Sequence, residues 1–191
     1  CKRIHAVEPN DAMRLRAEET LGTDPRFRSV AGAAEDTGLP PSSVDAIVCA
    51  HSFHWFNTKA TLNEFRRIIR GGRMLFLVWN ERKTGTPFLS ECDRLLQAYG
   101  TDYNQVNHAL IPDEEISWAF TADYEKSAFP NEQRFDLDGL KGRLSSSSYV
   151  PTASDPRYSP LMRGIDSAFE RFAENGRVRI EYSTTVYSGK I

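Results

Sequence analysis

Val44-Asp45-Ala46-Ile47-Val48-Cys49-Ala50 is the stretch on which the reading of the fold turns. A short, mostly apolar run of this kind predicts a strand buried on both faces, as in a parallel sheet. A helix follows, with Leu62, Phe65 and Ile69 on one stripe, and Gly71-Gly72 is expected to end it in a turn. Arg73 to Trp79 then reads as a second buried strand. Upstream, the apolar run Ile4 to Val7 ends at Glu8-Pro9-Asn10. Asn10 is placed to cap a helix carrying Met13, Ala17 and Leu21, with Gly22 as its stop. A brief strand is expected around Phe27 to Val30, followed by the small-residue stretch Gly32-Ala33-Ala34-Glu35. Strand, helix, strand, helix, strand in this order indicates an α/β sheet with right-handed crossovers.

The second half is punctuated as clearly. Thr86 caps a helix, Pro87 suits its first turn and Gly100 its stop, with Phe88, Cys92, Leu95 and Tyr99 on one face. A polar loop is expected from Thr101 to Asn107, a strand from Tyr124 to Phe129, and a short helix marked by Leu137, Leu140 and Leu144. Asp155-Pro156 is expected to open the last helix, which carries Leu161, Ile165, Phe169 and Phe172, and Asn175-Gly176 to close it. Arg177 to Tyr187 reads as a long strand in which Val178, Ile180 and Tyr182 alternate with the charged Arg179 and Glu181, which predicts an edge or antiparallel strand.

Composition bounds the function. Apolar residues make up 40% and charged residues 26% of the 191, so the chain is neither disordered nor collagen-like. A net charge of −2 gives no general electrostatic reason to bind nucleic acid or an anionic membrane. Arg66, Arg67, Arg70 and Arg73 cluster beside an apolar helix stripe and read as a solvated face. Cys1, Cys49 and Cys92 form no CxxC pair and no even framework, which points to a reducing, cytoplasmic setting. No apolar stretch approaches the ~18 residues of a membrane span.

Four constellations lie where strands are expected to end, the edge at which open α/β sheets bind ligands. Glu8 can accept hydrogen bonds from both hydroxyls of a ribose, or can simply sit near a helix N-terminus. Ala34 and Glu35, with Gly32 before them, can admit a flat base and hold its exocyclic amine, or form an ordinary turn. Ala50-His51-Ser52-Phe53-His54-Trp55-Phe56 reads as a pocket wall, although Trp55 and Phe56 also suit packing at the start of the next helix. Either histidine is chemically suited to act as a general base. His51-x-x-His54 is half of a metal site at best, with no Cys cluster or HExxH nearby, and no metal is expected. Trp79-Asn80-Glu81-Arg82 offers an indole, an amide and a guanidinium to a small polar substrate; alternatively Arg82 pairs with Glu81 or another surface acid. GxGxxG, GxxxxGK[ST] and GxSxG are all absent from the sequence, so no complete dinucleotide fingerprint, P-loop or hydrolase elbow can be claimed.

Together these segments resemble a class I S-adenosylmethionine-dependent methyltransferase of the UbiE/trans-aconitate type, the methyltransferase type 11 branch. The resemblance is carried by Val7-Glu8-Pro9-Asn10, Ala34-Glu35 with Leu39-Pro40, and Ser43 to Val48. It continues through Ala50 to Phe56, Glu64 to Gly72 and Leu77-Val78-Trp79-Asn80. The later Gly142 to Tyr149 and Gly176-Arg177-Val178 resemble one bacterial and fungal branch. It implies a Rossmann-like sheet with flanking helices and an antiparallel last strand. It also implies S-adenosyl-L-methionine as methyl donor and a small-molecule acceptor with an O, N or C nucleophile. Glu8 would hold the ribose hydroxyls, Met13 would lie near the adenine face, and Ala34 with Glu35 would meet the adenine edge. Ala50 and His51 would border the methionine portion, with His51 as the candidate base. His54, Trp55, Trp79, Asn80, Arg82 and Tyr149 would line the acceptor pocket.

The same resemblance divides the chain into a cofactor-binding core over 1–99, a lid over 100–155, and a final helix and strand over 156–191. Arg70-Gly71-Gly72 stands where the family usually has Pro-Gly-Gly. The family's first strand and glycine-rich loop have no counterpart in the sequence, and both are expected to precede Cys1 in the natural protein. A non-catalytic α/β binding module and a nicotinamide-dependent oxidoreductase are the competing readings.

Overall fold

The strand expected at Val44–Ala50 forms, as β3, in a computed structural model that describes residues 1–103 and 113–191. The polar loop expected from Thr101 to Asn107 lies outside the described residues from 104 onward. The described strands are β1 (Ile4–Val7), β2 (Phe27–Val30), β3, β4 (Ile69–Arg82), β5 (Glu125–Phe135) and β6 (Val178–Lys190). The α-helices are α1 (Asp11–Leu21), α2 (Thr58–Ile68), α3 (Pro87–Tyr99), α4 (Asp113–Trp118), α5 (Leu137–Ser145) and α6 (Tyr158–Phe172). A 3-10 turn spans Phe53–Trp55.

Helix starts follow the capping chemistry of the sequence. Asn10 accepts the Met13 N–H at 3.0 Å, Thr86 the Leu89 N–H at 3.2 Å, and Asp136 the Gly139 N–H at 2.8 Å. Each side chain satisfies a donor that the first helical turn leaves open. Pro87 follows Thr86 at the first helical position, where its missing N–H costs nothing.

The strands form two sheets, a parallel β1–β2 pair and a four-stranded sheet in the order β3-β4-β6-β5. β3 and β4 run parallel from Ala46↔Met74 to Ala50↔Val78. The Lys83 N–H donates to the Glu181 carbonyl, and the Thr184 hydroxyl to the Asn80 Oδ1. These pairs run in opposite senses along the two strands, so β6 is antiparallel to β4.

Several element expectations are corrected. β3 is not buried on both faces: Cys49 is buried, but Val48 is 63% exposed. Gly71-Gly72 does not end α2, which stops at Ile68; β4 begins at Ile69 and carries both glycines within it. From Val44 to Ala46 on β3, β4 advances from Ile69 to Met74, and the surplus is taken up as a bulge. Gly72 sits there at φ 76°, a left-handed conformation that a side chain would oppose. Of the two alternatives for the last strand the antiparallel one holds, and β6 lies inside the sheet between β4 and β5. α6 starts at Tyr158 rather than at Asp155-Pro156 and ends at Phe172. Asn175-Gly176, both at positive φ, instead make a tight turn closed by Glu174 and Arg177.

The described residues divide into two units, 1–78 with 113–126 and 186–191, and 79–103 with 127–185. In the second, α3 and α6 pack through Leu89, Leu95, Leu161 and Ile165, and Val178 and Ile180 of β6 join the same core. In the first, Leu75 and Leu77 of β4 and Phe65 of α2 are fully or nearly fully buried. Burying such a side chain contributes about 1.5–3 kcal/mol.

Candidate active site at the strand ends

Glu8 follows β1, and its N–H extends the β1–β2 ladder by donating to the Val30 carbonyl. One carboxylate oxygen accepts the Asn10 N–H at 2.8 Å, which fixes the side chain beside the start of α1. Met13, on α1, is 63% exposed. Beyond β2, Ala33 and Asp36 exchange two backbone hydrogen bonds, leaving Ala34 and Glu35 at the tip of a two-residue turn. Glu35 reaches across to the segment after β3. Its Oε1 accepts the Asn57 N–H at 2.8 Å and the Thr61 hydroxyl at 3.3 Å. That carboxylate therefore completes the N-terminal cap of α2, a role the sequence reading did not give it.

Ala50 ends β3. His51 N–H still donates to the Val78 carbonyl, but His51 itself adopts φ 51°. A non-glycine residue rarely sits in this left-handed region, and such strain concentrates at functional sites. The kink turns the chain into the 3-10 turn. There Phe53 is buried and meets Phe56 edge-to-face at 6.1 Å, and Phe56 meets Phe65 of α2 at 6.5 Å. Phe56 thus packs as expected, whereas Trp55 does not: its indole is 73% exposed. The His54 ring lies 4.8 Å from that indole, and its Nδ1 is shut off from solvent without a hydrogen-bond partner among the described residues. Desolvation, and then the nearby charge of His51, hold the His54 pKa below the ordinary histidine value.

Trp79, Asn80, Arg82 and Tyr149 belong to the second unit. Asn80 accepts the Thr184 hydroxyl at 2.5 Å. Arg82 does not pair with Glu81 or an open surface acid. Its Nη2 meets the half-buried Asp93 of α3 and donates to the Tyr103 hydroxyl at 2.6 Å, and Tyr103 donates to Asp93 at 2.5 Å. Tyr149 stands edge-to-face against Tyr103 with ring centres 5.1 Å apart. Burial first, and the hydrogen bond to Asp93 next, push the Tyr103 phenol above its ordinary value. Asp93 and Tyr103 escaped the sequence reading. The available signal was an acid at Asp93 directly beside Cys92 on the apolar stripe of α3.

A second network was also missed. Glu64 on α2 is 7% exposed and accepts the Thr37 N–H at 2.9 Å and the Thr37 hydroxyl at 2.5 Å. Arg67 grips both of its oxygens, at 2.6 and 2.8 Å, and also donates to the Leu39 carbonyl. Arg67 is therefore no member of a purely solvated face. Among the described residues, no group of His, Cys, Asp and Glu is arranged to hold a metal ion.

Glu8, Ala34–Glu35 and His51 thus follow β1, β2 and β3 along the chain, and Ala50 is the last residue of β3, all within the first 77 residues. Residues 1–77 match the methyltransferase domain family. The chain is also 27% identical over 165 residues to an uncharacterized methyltransferase of Schizosaccharomyces pombe. That match covers 83% of this chain and 64% of the relative, so the chain spans less than two thirds of the relative's length. Among solved structures, it is similar to a protein provisionally described as a type II methyltransferase from Anaeromyxobacter dehalogenans. The TM-score is 0.69 at 22% identity, covering 99% of this chain and 80% of that one. A provisionally described methyltransferase from an antibiotic biosynthesis pathway of Anabaena variabilis gives 0.62 at 18%, covering 98% and 81%. These likenesses establish the Rossmann-like α/β fold, a sheet flanked by helices, that the motifs implied.

Proposed function

We propose that the protein transfers a methyl group from S-adenosylmethionine to a small-molecule acceptor. What supports this reading is that Glu8, Ala34–Glu35 and His51 each follow a strand, β1, β2 and β3, within the segment that matches the methyltransferase domain family. The side chains fit such a donor. A carboxylate at Glu8 matches the two hydroxyls of a ribose, and the small Ala34 at a turn tip lets a flat base approach the backbone. When bound, S-adenosylmethionine supplies a methyl group made electrophilic by its sulfonium. The protein's part is then to orient and to exclude competing geometry. Glu8 holds the ribose, Met13 and the Ala34–Glu35 turn border the adenine, and Ala50 borders the methionine portion. A ring nitrogen of His51 takes the proton that an O–H or N–H acceptor must lose.

In the second unit, Trp79, Asn80, Arg82 and Tyr149 are proposed as acceptor contacts, with the Arg82 Nη2 already held by Asp93 and Tyr103. No helix among the described residues is long and apolar enough to cross a membrane. Cys1, Cys49 and Cys92 are unpaired, which supports a cytoplasmic setting.

Calorimetry with S-adenosylhomocysteine tests the reading. Saturable binding is expected, displaced by S-adenosylmethionine and not by a nicotinamide dinucleotide. Glu8→Ala should weaken it about tenfold or more, the worth of hydrogen bonds to a charged group. Absence of binding heat, or displacement by the dinucleotide alone, overturns it.

A further inference from the structure

The turn after β3 carries more than a general base. His54 and Trp55 are neighbours there, and their surroundings divide the work of the imidazole's two nitrogens. A neutral imidazole holds one N–H and one bare lone pair. Protonating the sealed Nδ1 of His54 would bury an N–H with nothing to receive it, a cost of about 1–3 kcal/mol. His54 as a whole is only half-buried, so the seal is on its Nδ1 side. A bare Nδ1 also lacks a partner there among the described residues, so burial alone does not choose the tautomer; the Nε2–H form is the one neutral histidine intrinsically favours, and it leaves the donor on the other nitrogen. Beside it, the indole of Trp55 stands 73% exposed, its ring tilted 46° to the imidazole. An open indole face is a platform for a flat π-system. His51, three residues earlier, opens the same turn.

We infer that His54 sets the acceptor class: its Nε2–H donates a hydrogen bond to one oxygen of a planar, uncharged acceptor stacked on Trp55, and His51 takes the proton of a neighbouring hydroxyl. This inference rests on the methyl-transfer reading of the same site. The step balances. The hydroxyl proton passes to His51, the oxygen lone pair forms the O–C bond as the donor's C–S bond breaks, and the products are a methyl ether and a neutral thioether. The imidazolium at His51 then returns its proton to solvent. An aliphatic carboxylate satisfies neither the platform nor the need for a base.

The test uses histidine-ring 15N spectra of the labelled protein, with His54→Gln to assign the signals and 2,3-dihydroxynaphthalene and adipate as probes. The expected result is a bare Nδ1 and a protonated Nε2 on His54 at neutral pH. The dihydroxynaphthalene should shift the Nε2 signal and quench Trp55 emission, assigned with Trp55→Phe, and adipate should do neither. His54→Gln, which keeps a donor N–H at similar reach, should hold probe affinity within about threefold, while His54→Ala loses about tenfold. An Nδ1–H tautomer, a response to adipate equal to that of the flat probe, or no response to the flat probe overturns the inference. Calorimetry with S-adenosylhomocysteine on the same sample separates its failure from that of the methyl-transfer reading.

Discussion

At the scale of single residues, the buried Glu64 carboxylate carries the sharpest expectation. Arg67 first, and the two Thr37 donors next, hold its pKa down at about 2 against desolvation. Its folded-state value thus lies below the unfolded one. The stability it contributes is fully present above the ordinary glutamate range and is lost as pH falls toward about 2. Glu64→Gln should therefore cost about 2 kcal/mol at neutral pH and much less near pH 2, read from urea denaturation at the two values. His54 has the same sign. Its folded pKa is depressed, so its contribution is present above the ordinary histidine value and declines as pH falls below it. His51 answers to kinetics instead. His51→Ala should lower kcat about a hundredfold while leaving the KM for the donor nearly unchanged. An equal loss in both would make His51 a donor contact rather than a base.

Between elements, the Arg82–Asp93–Tyr103 triad ties β4 to α3, and its side chains are largely withdrawn from water. Removing one charge leaves the other buried and unpaired, which costs far more than losing one neutral hydrogen bond. Asp93→Asn should therefore destabilise by about 3 kcal/mol, and Tyr103→Phe by about 1 kcal/mol. Similar losses for both would mean that Arg82 finds water when Asp93 is neutralised. The α3–α6 contact rests on a missing side chain. A Cβ on Gly164 would fall 2.4 Å from the Leu95 Cδ2, and Leu95 is itself buried at 3% exposure. Helix propensity favours alanine there by about 1 kcal/mol, while overpacking costs about 1–3 kcal/mol. Gly164→Ala should lower the melting temperature by a few degrees. Leu95→Ala in that background should cost less than in the parent, because the two side chains compete for one space.

Across the whole molecule, the strand-and-helix order was legible because local chemistry states it. Asn10, Thr86 and Pro87 mark helix starts by capping, and the stripe of Phe88, Cys92 and Leu95 faces the core as its spacing demands. The positions of Glu8, Ala34 and His51 past strand ends were legible for the same reason, since each follows an apolar run. What escaped was set by distant parts of the chain. Glu64 meets Thr37 across 27 positions, and Glu35 caps a helix 22 positions on. No local pattern announces such pairs. The exposure of Val48 and Trp55 escaped for a related reason: an apolar residue declares what it prefers, not what is there to cover it.

The bulge in β4 has a consequence for how this chain tolerates change in length. Met74 to Val78 are locked in step with Ala46 to Ala50, but Ile69 to Arg73 are paid out against only two residues of the partner. That loop of slack works like a turnbuckle. Removing Gly71 should shorten it while leaving Ala50 and Trp79 at their stations, whereas a deletion at Phe76 would turn every later side chain of β4 to the opposite face. Insertions and losses among relatives should therefore collect at the bulge and spare the strand that ends beside the site.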